Sequence, residues 1–400
     1  MVSLSDIRAA EERVREHIIR TPLVFSPTIS SMTGANVYLK LETLQKAGSF
    51  KVRGATNKIL SHREEIRKTG VVAASAGNHA QGVAVAARSV GIPATIVMPE
   101  WASLSKQEAT KAYGATVIMH GKSLEESIGR AREITRNGAL FIHPFNDDEI
   151  IAGQGTIGLE IFSDLPATDM IVVPVGGGGL IAGIAIAAKG IHPGVKIVGV
   201  QTSQCPSALE SVSRGEAVCV PARETIADGI RVEGPGERTF PPVHELVDRI
   251  ALASEDEIAD AMLLLLERKH IVAEGAGAVP LAVLLNGSVT ITPGSTIVLV
   301  ISGGNVDSSH LFRIVRHSLL RQGRIVRFSV LIEDQPGELA RLLGIIAGLQ
   351  GNVLHVHHAE GERDNPVHLA HVQLELETRG REHGGQIRDA LEKAGYRIDN

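Results

Sequence analysis

Cysteine is almost missing from this chain. Two cysteines in 400 residues, Cys205 and Cys219, exclude a disulfide scaffold and a four-cysteine zinc site, and their scarcity suits a reducing compartment. A cytoplasmic location is the expectation. Aromatic residues make up only 3%, too few for a base-stacking surface. There is no surplus of positive charge either: Lys plus Arg is 40, Asp plus Glu is 45, and the net charge is -5. A polyanion such as nucleic acid is therefore not an expected partner. The first twenty residues carry no apolar run of signal-peptide type, so no targeting segment is expected. Residues Ile171 to Ala188 are uncharged, yet Pro174 and the run Gly176 to Gly179 would break a spanning helix. No membrane partner is expected. The motifs H-E-x-x-H and G-x-S-x-G are absent, as are solenoid periods and low-complexity tracts.

A hydrophobic share of 44% is ample for folded cores, and the length suggests roughly two or three domains. A first helix is expected after Ser3 or Ser5, with Asp6 in its first turn and Arg20 near its end. From Val71 onward, short apolar runs read as buried parallel strands: VVAAS, ATIVM, ATVIM, ALFI, MIVVPV, KIVGV and STIVLVIS. Segments of helical period lie between them, some closed by glycine as at Gly91 and Gly114. Alternation of this kind means an α/β fold with parallel sheets, and the strand number calls for two lobes.

Near residue 325 the pattern changes. RIVRFSVLIED, NVLHVHHAEG and VHLAHVQLELE alternate as strands with one covered face, the last two separated by a polar loop holding Asn365 and Pro366. ELARLLGIIAGLQ, closed by Gly351, and EHGGQIRDALEKAG have helical period, and YRID can add a last strand. The order βαββαβ describes a ferredoxin-like module. His355 and His357 share one strand face, His358 lies on the other, and His368 and His371 fall on opposite faces; no ring of three or four ligands emerges and no metal is expected.

Four segments carry the chemistry, one at a helix start and three at strand ends. In KAGSFKVRGA, Ser49 can cap a helix whose first turn holds Lys51; the positive helix end and burial would lower the lysine pKa toward a nucleophilic amine. A solvated surface lysine is the plainer alternative. In VVAASAGNHAQGVA, Ser75, Ala76, Gly77, Asn78 and His79 sit where a strand gives way to a helix, the place where α/β sheets bind ligands. The N–H groups there, with the Ser75 and Asn78 side chains, can hold a carboxylate, unless they only cap the helix. In IVVPVGGGGLIAG, Gly176, Gly177, Gly178 and Gly179 let N–H groups converge on an anion, a phosphate by preference. A dinucleotide reading is formally met by Gly177, Gly179 and Ala182, but the next strand ends at Gln201 where an acidic ribose ligand belongs. STIVLVISGGNVD then puts Ser302 at a strand end, where its hydroxyl can face a bound ring.

SFKVRGA, SAGNHAQGVA, GGGGL and SGGN, in this order, resemble the fold-type II pyridoxal-phosphate enzymes, nearest to the threonine dehydratase (threonine ammonia-lyase) branch; ETIADGIRV at Glu224 to Val232 is a further match. DQPGEL after a strand resembles an ACT regulatory domain. The resemblance implies a two-lobed catalytic domain of the tryptophan synthase β type over residues 1–320. In it, a small lobe of about residues 52–150 is inserted in a large lobe of 1–51 and 151–320. A ferredoxin-like ACT domain follows over 326–400. It implies pyridoxal 5'-phosphate as cofactor. Lys51 forms the Schiff base, Gly176 to Gly179 hold the phosphate, Asn78 bonds the ring hydroxyl, Phe50 packs on the ring and Ser302 meets the pyridine nitrogen. Glu274 lies near the ring. Lys51 and Ser75 are the catalytic pair, and Ser75 with Ala76, Gly77, Asn78 and His79 takes the substrate carboxylate. The implied reaction converts L-threonine to 2-oxobutanoate and ammonia, in isoleucine biosynthesis or threonine catabolism. Serine or another 3-hydroxy amino acid, or racemisation, is the alternative. Racemases of this branch carry a serine where Ala76 stands, so racemisation is disfavoured; where Gln201 stands they carry an acidic residue that binds a divalent cation. Asp334, Gln335, Pro336, Gly337 and Asn352 are the implied effector-binding residues, with isoleucine or valine as effector. A homo-oligomer, dimer or tetramer, is expected.

Overall fold

The uncharged apolar runs become the strands of a sheet covered on both faces. In the computed structural model, which describes residues 1–359 and 368–399, the chain divides into two compact units, Met1–Asp307 and Ser308–Asn400. The larger sheet of the first unit has the strand order Leu23–Phe25, Asn36–Leu41, Thr296–Ile301, Met170–Pro174, Lys196–Thr202, Arg249–Ala253. Only the first pair is antiparallel. Ile171, Val173, Ile197, Val298 and Val300 are fully buried, as expected of parallel strands roofed by helices. The helix Gly179–Ile191 is apolar around most of its circumference and nearly all buried, which makes it a core helix rather than a surface one.

A second, wholly parallel sheet has the order Thr116–Met119, Ala94–Met98, Val71–Ala74, Leu140–Phe141. The chain enters it after helix Lys51–Ser61 and leaves it through helix Asp148–Asp164. These two helices pack closely enough that Gly54 and Gly153 touch.

Some sequence expectations need correction. The first helix is Leu4–Val14, with Ser3 and Asp6 forming a capping box, so Arg20 lies outside it. The Gln45 side chain bonds both the N–H and the C=O of Ile19, at 2.9 and 2.7 Å, so the backbone groups there are satisfied outside a helix. Ser49 does not cap helix Lys51–Ser61. Phe50 occupies the cap position without a side-chain bond, because Ser49 bridges to Gly303 and its buried Oγ has no partner. In the second unit, Gln350 rather than Gly351 takes the left-handed conformation, φ 63°, while Gly351 packs against Ile346 and Ile387. Strands Leu23–Phe25, Asn36–Leu41 and Arg249–Ala253 were not signalled by the apolar runs.

The second unit opens with helix Ser308–Arg321. Its antiparallel sheet has the order Arg397–Asp399, Ile325–Glu333, Leu369–Glu377, Asn352–Ala359, the fourth-first-third-second arrangement of a ferredoxin-like fold. Helices Glu338–Gly348 and Arg381–Lys393 bury Leu342, Ile346, Ile387 and Leu391 against Phe328, Val330, Val372 and Leu374. The Asn365–Pro366 loop lies outside the described residues.

Candidate active site

Lys51 begins helix Lys51–Ser61, and its Nζ donates to the Pro144 carbonyl at 2.8 Å. The amine is part-buried, with protein around most of it. Loss of water lowers its pKa to about 8, against the opposing pull of Glu274. It lies 5.1 Å from the centre of the Phe50 ring. The surface-lysine alternative is therefore set aside.

Helix Asn78–Ser89 presses on this lysine. A Cβ on Gly82 would stand 2.9 Å from Lys51 Cβ and 3.0 Å from Lys51 C. Backbone cannot yield as a flexible side-chain tip can. Gly82→Ala should therefore destabilise the protein by about 1–3 kcal/mol and, on the expectation that Lys51 anchors the cofactor, lower cofactor affinity by displacing that lysine. Thermal melting and a cofactor-binding titration measure both, and an unchanged pair of values would remove this packing argument.

Three further segments converge on Lys51. The Ser75–His79 turn follows strand Val71–Ala74. Its capping alternative fails: the cap residue is Gly77, with no side-chain cap bond. Ser75 Oγ instead accepts from the Gly77 N–H at 3.1 Å, and Asn78 Nδ2 donates to Glu274 Oε1 at 2.6 Å. His79 is buried and donates to the Ile142 carbonyl at 2.8 Å. Burial first, then the Lys51 charge, lowers its pKa to about 3, so it is a neutral imidazole and not an acid.

The glycine turn follows strand Met170–Pro174, and Gly178, φ 91°, caps helix Gly179–Ile191. A side chain at Gly177 would overlap the Phe145 ring. Phe145 belongs to the same turn as Pro144. His143 holds that turn, its Nδ1 accepting from the N–H groups of Phe145 and Asn146 at 3.2 and 2.8 Å. One turn thus meets both the lysine amine and the glycine loop. Gln201 serves structure: its amide bonds Val175, Ser207, Ala208 and Leu209.

Ser302 is buried, and its carbonyl accepts from the Phe50 N–H at 3.1 Å. Glu274 is buried beside Asn78. Burial, then Asp228, raises its carboxyl to about 7, with Asn78, Lys106 and Lys51 opposing. Sequence reasoning missed Asn305, whose side chain reaches Asn78, and the His143–Phe145 turn. The N of SGGN was a signal for the first; nothing local marked the second.

These groups fit pyridoxal phosphate. An amine of lowered pKa can join an aldehyde, a turn of four glycines at a helix N-terminus can take a phosphate, and a buried hydroxyl at Ser302 can meet a ring nitrogen. Among the described residues no group of three or more His, Cys, Asp or Glu could hold a metal ion. None of their helices is long and apolar enough to cross a membrane. The five residues proposed for an effector lie exposed in the second unit. Gly337, φ 100°, caps helix Glu338–Gly348, so Asp334 does not, and Asn352 Nδ2 donates to Glu377 at 3.0 Å.

The L-threonine ammonia-lyase of Thermotoga maritima is 49% identical over 399 residues, covering all of this chain and 99% of that protein. That of Geobacter sulfurreducens is 45% identical over 400 residues, covering 100% and 99%. Maize serine racemase superposes with a TM-score of 0.75 at 38% identity, over 80% of this chain and 98% of that one. The processed form of threonine deaminase isoform 2 from Solanum lycopersicum gives 0.74 at 38% identity, over 78% and 91%. The family described as pyridoxal-phosphate dependent enzyme matches residues 14–303, a span that holds Lys51, the Ser75–His79 turn, the glycine turn and Ser302. The chain belongs to the pyridoxal-phosphate dependent enzyme family.

Proposed function

We propose that this chain dehydrates and deaminates L-threonine, giving 2-oxobutanoate and ammonia, under control of an amino acid bound by its C-terminal unit. The observation that carries the catalytic reading is the Lys51 amine, lowered to about 8 by lost hydration and set among glycine-rich strand ends. Relatives named L-threonine ammonia-lyase, similar over the full chain, support the choice of substrate. Bound pyridoxal phosphate supplies an electron sink for charge developing at Cα. The chain's residues do the rest. Lys51 Nζ removes the Cα proton, for which it must be neutral and within hydrogen-bond reach. The N–H groups of Ala76 to His79, with Ser75 Oγ, hold the substrate carboxylate. Gly176 to Gly179 and the following helix dipole hold the phosphate, Phe50 flanks the ring, and Asn78 bonds its hydroxyl. Ala76 has no proton to exchange, which disfavours racemisation.

Release of ammonia and 2-oxo acid from L-threonine, L-serine and 3-hydroxyaspartate tests the proposal. Threonine should give the highest kcat/KM; a higher value for another substrate would overturn the assignment.

A serine hydroxyl at position 302 is far too weak an acid to protonate the ring nitrogen. Ser302→Asp should protonate it and hold charge on the ring. The expected result is about tenfold lower kcat with more conversion of the cofactor to its amine form. An unchanged rate and product ratio would show that Ser302 does not meet the ring nitrogen.

The regulatory reading rests on the exposed turn Asp334 to Gly337. Asp334 can pair with an α-ammonium, and the N–H groups opening helix Glu338–Gly348 with a carboxylate. Truncation after residue 325 should keep threonine turnover and abolish any shift of the saturation curve by isoleucine or valine, because coupling needs both sites. Equal responses of full and truncated chains would rule the regulatory role out.

A further inference from the structure

Asn305 ends the S-G-G-N segment after strand Thr296–Ile301. Its Nδ2 makes two hydrogen bonds, to the Ala47 carbonyl at 2.7 Å and to Asn78 Oδ1 at 2.8 Å. A main-chain carbonyl only accepts, so the Ala47 contact fixes which end of the Asn305 amide is nitrogen. The second N–H of that nitrogen then requires an acceptor, and Asn78 must present its oxygen. The Asn78 nitrogen is left facing Glu274 Oε1, at 2.6 Å.

Glu274 cannot impose this orientation by itself. Burial, then the Asp228 charge, brings its carboxyl to about 7. Near neutral pH it can donate as well as accept, and so it tolerates either end of the Asn78 amide. Asn305 does not: turning Asn78 over would set two NH₂ groups against each other and leave donors unpaired. The place for Asn305 is kept open by Gly48, φ 67°, where a Cβ would overlap the Asn305 side chain.

We propose that Asn305 is a positioning residue that locks the Asn78 amide with its oxygen toward Asn305 and its nitrogen toward Glu274, leaving the second N–H of that nitrogen for the cofactor ring. This rests on the reading of Asn78 as the partner of the ring hydroxyl. When Asn305 is lost, Asn78 can offer its oxygen to the ring instead, an acceptor where a donor is needed.

The test uses the holoenzyme, the visible absorbance of its bound cofactor across pH, and cofactor retention by equilibrium dialysis. Asn305→Asp keeps the shape and loses both N–H donors. It should move the pH midpoint of the absorbance in the same direction as Asn78→Ala, and weaken cofactor retention about tenfold, the scale of one lost buried hydrogen bond. In an Asn78→Ala background, Asn305→Asp should add nothing to the spectral change. A spectrum like the parent's, or a shift that adds in full to that of Asn78→Ala, would overturn the proposal. Should Asn78→Ala itself leave the spectrum untouched, the reading of Asn78 fails and this proposal with it. Asn305→Ser, which keeps one donor, should fall between the parent and Asn305→Asp; it carries the test if the aspartate variant does not fold.

Discussion

Lys51→Ala should reduce threonine turnover by about 10⁴-fold or more, since under the proposed mechanism it removes both the covalent anchor of the cofactor and the base for Cα. The fold should survive. Lys51 makes one side-chain hydrogen bond, to Pro144, and alanine keeps the Cβ and backbone that pack against Gly82. Lys51→Arg should not restore activity, because a guanidinium stays protonated and its planar fork does not replace a single amine. Circular dichroism and melting temperature close to the parent's, with turnover measured in the absence of added amines, are the required controls. Near-normal elimination by the alanine variant would remove Lys51 from the mechanism altogether.

The second large effect concerns stability. Two residues beyond Lys51, Arg53 is fully buried. It makes a bidentate pair with Glu42, both bonds 2.8 Å, and reaches Glu160 at 2.7 and 2.9 Å. Lys40, also fully buried, meets Glu160 at 2.5 Å. Burial works to raise the Glu42 carboxyl, but Arg53, Thr21 and Lys40 overcome it and hold the pKa below the ordinary value. Arg53→Leu leaves two buried carboxylates facing one lysine. The expected loss is about 3–5 kcal/mol, the usual result of stripping one partner from a buried ion pair. Chemical denaturation followed by the signal of the first unit reads it. The pH dependence has a definite sign. Glu42 titrates lower in the folded protein, so its contribution to the parent is present above the ordinary glutamate value of 4.5 and fades as pH falls through the lowered one. In the variant the unpaired carboxylates are relieved by protonation. The gap between the two proteins should therefore be widest near neutral pH and narrow in acid. An equal midpoint for both at pH 7 would mean that the cluster contributes nothing.

How much of this could be read from the sequence depended on the range of the interaction. Runs such as MIVVPV and STIVLVIS are continuous and apolar because helices cover both faces of their sheet, and that needs no partner to be seen. The motifs around Asn78 and Gly176 to Gly179 were legible because each is a strand end closed by small residues, and the Lys51 motif because it opens a helix between small residues. NVYLKL was not legible as a strand. Its Lys40 looks like a solvated position and is buried with its amine held by the Thr21 carbonyl and by Glu160, far along the chain. Arg20 looked like a helix end, since nothing near it reveals that Gln45 takes the Ile19 backbone. The same limit hid Asn305 as a partner of Asn78. A local pattern can place an asparagine at a strand end but cannot say which amide it faces.

The central claim is that Lys51 carries the cofactor. Borohydride reduction of the protein loaded with pyridoxal phosphate, followed by proteolysis and mass spectrometry, tests it most directly. One reduced pyridoxyl phosphate per chain, on the peptide containing Lys51 and absent from the Lys51→Ala protein, is the result expected; the label on any other lysine, or its persistence in the alanine variant, would contradict the assignment.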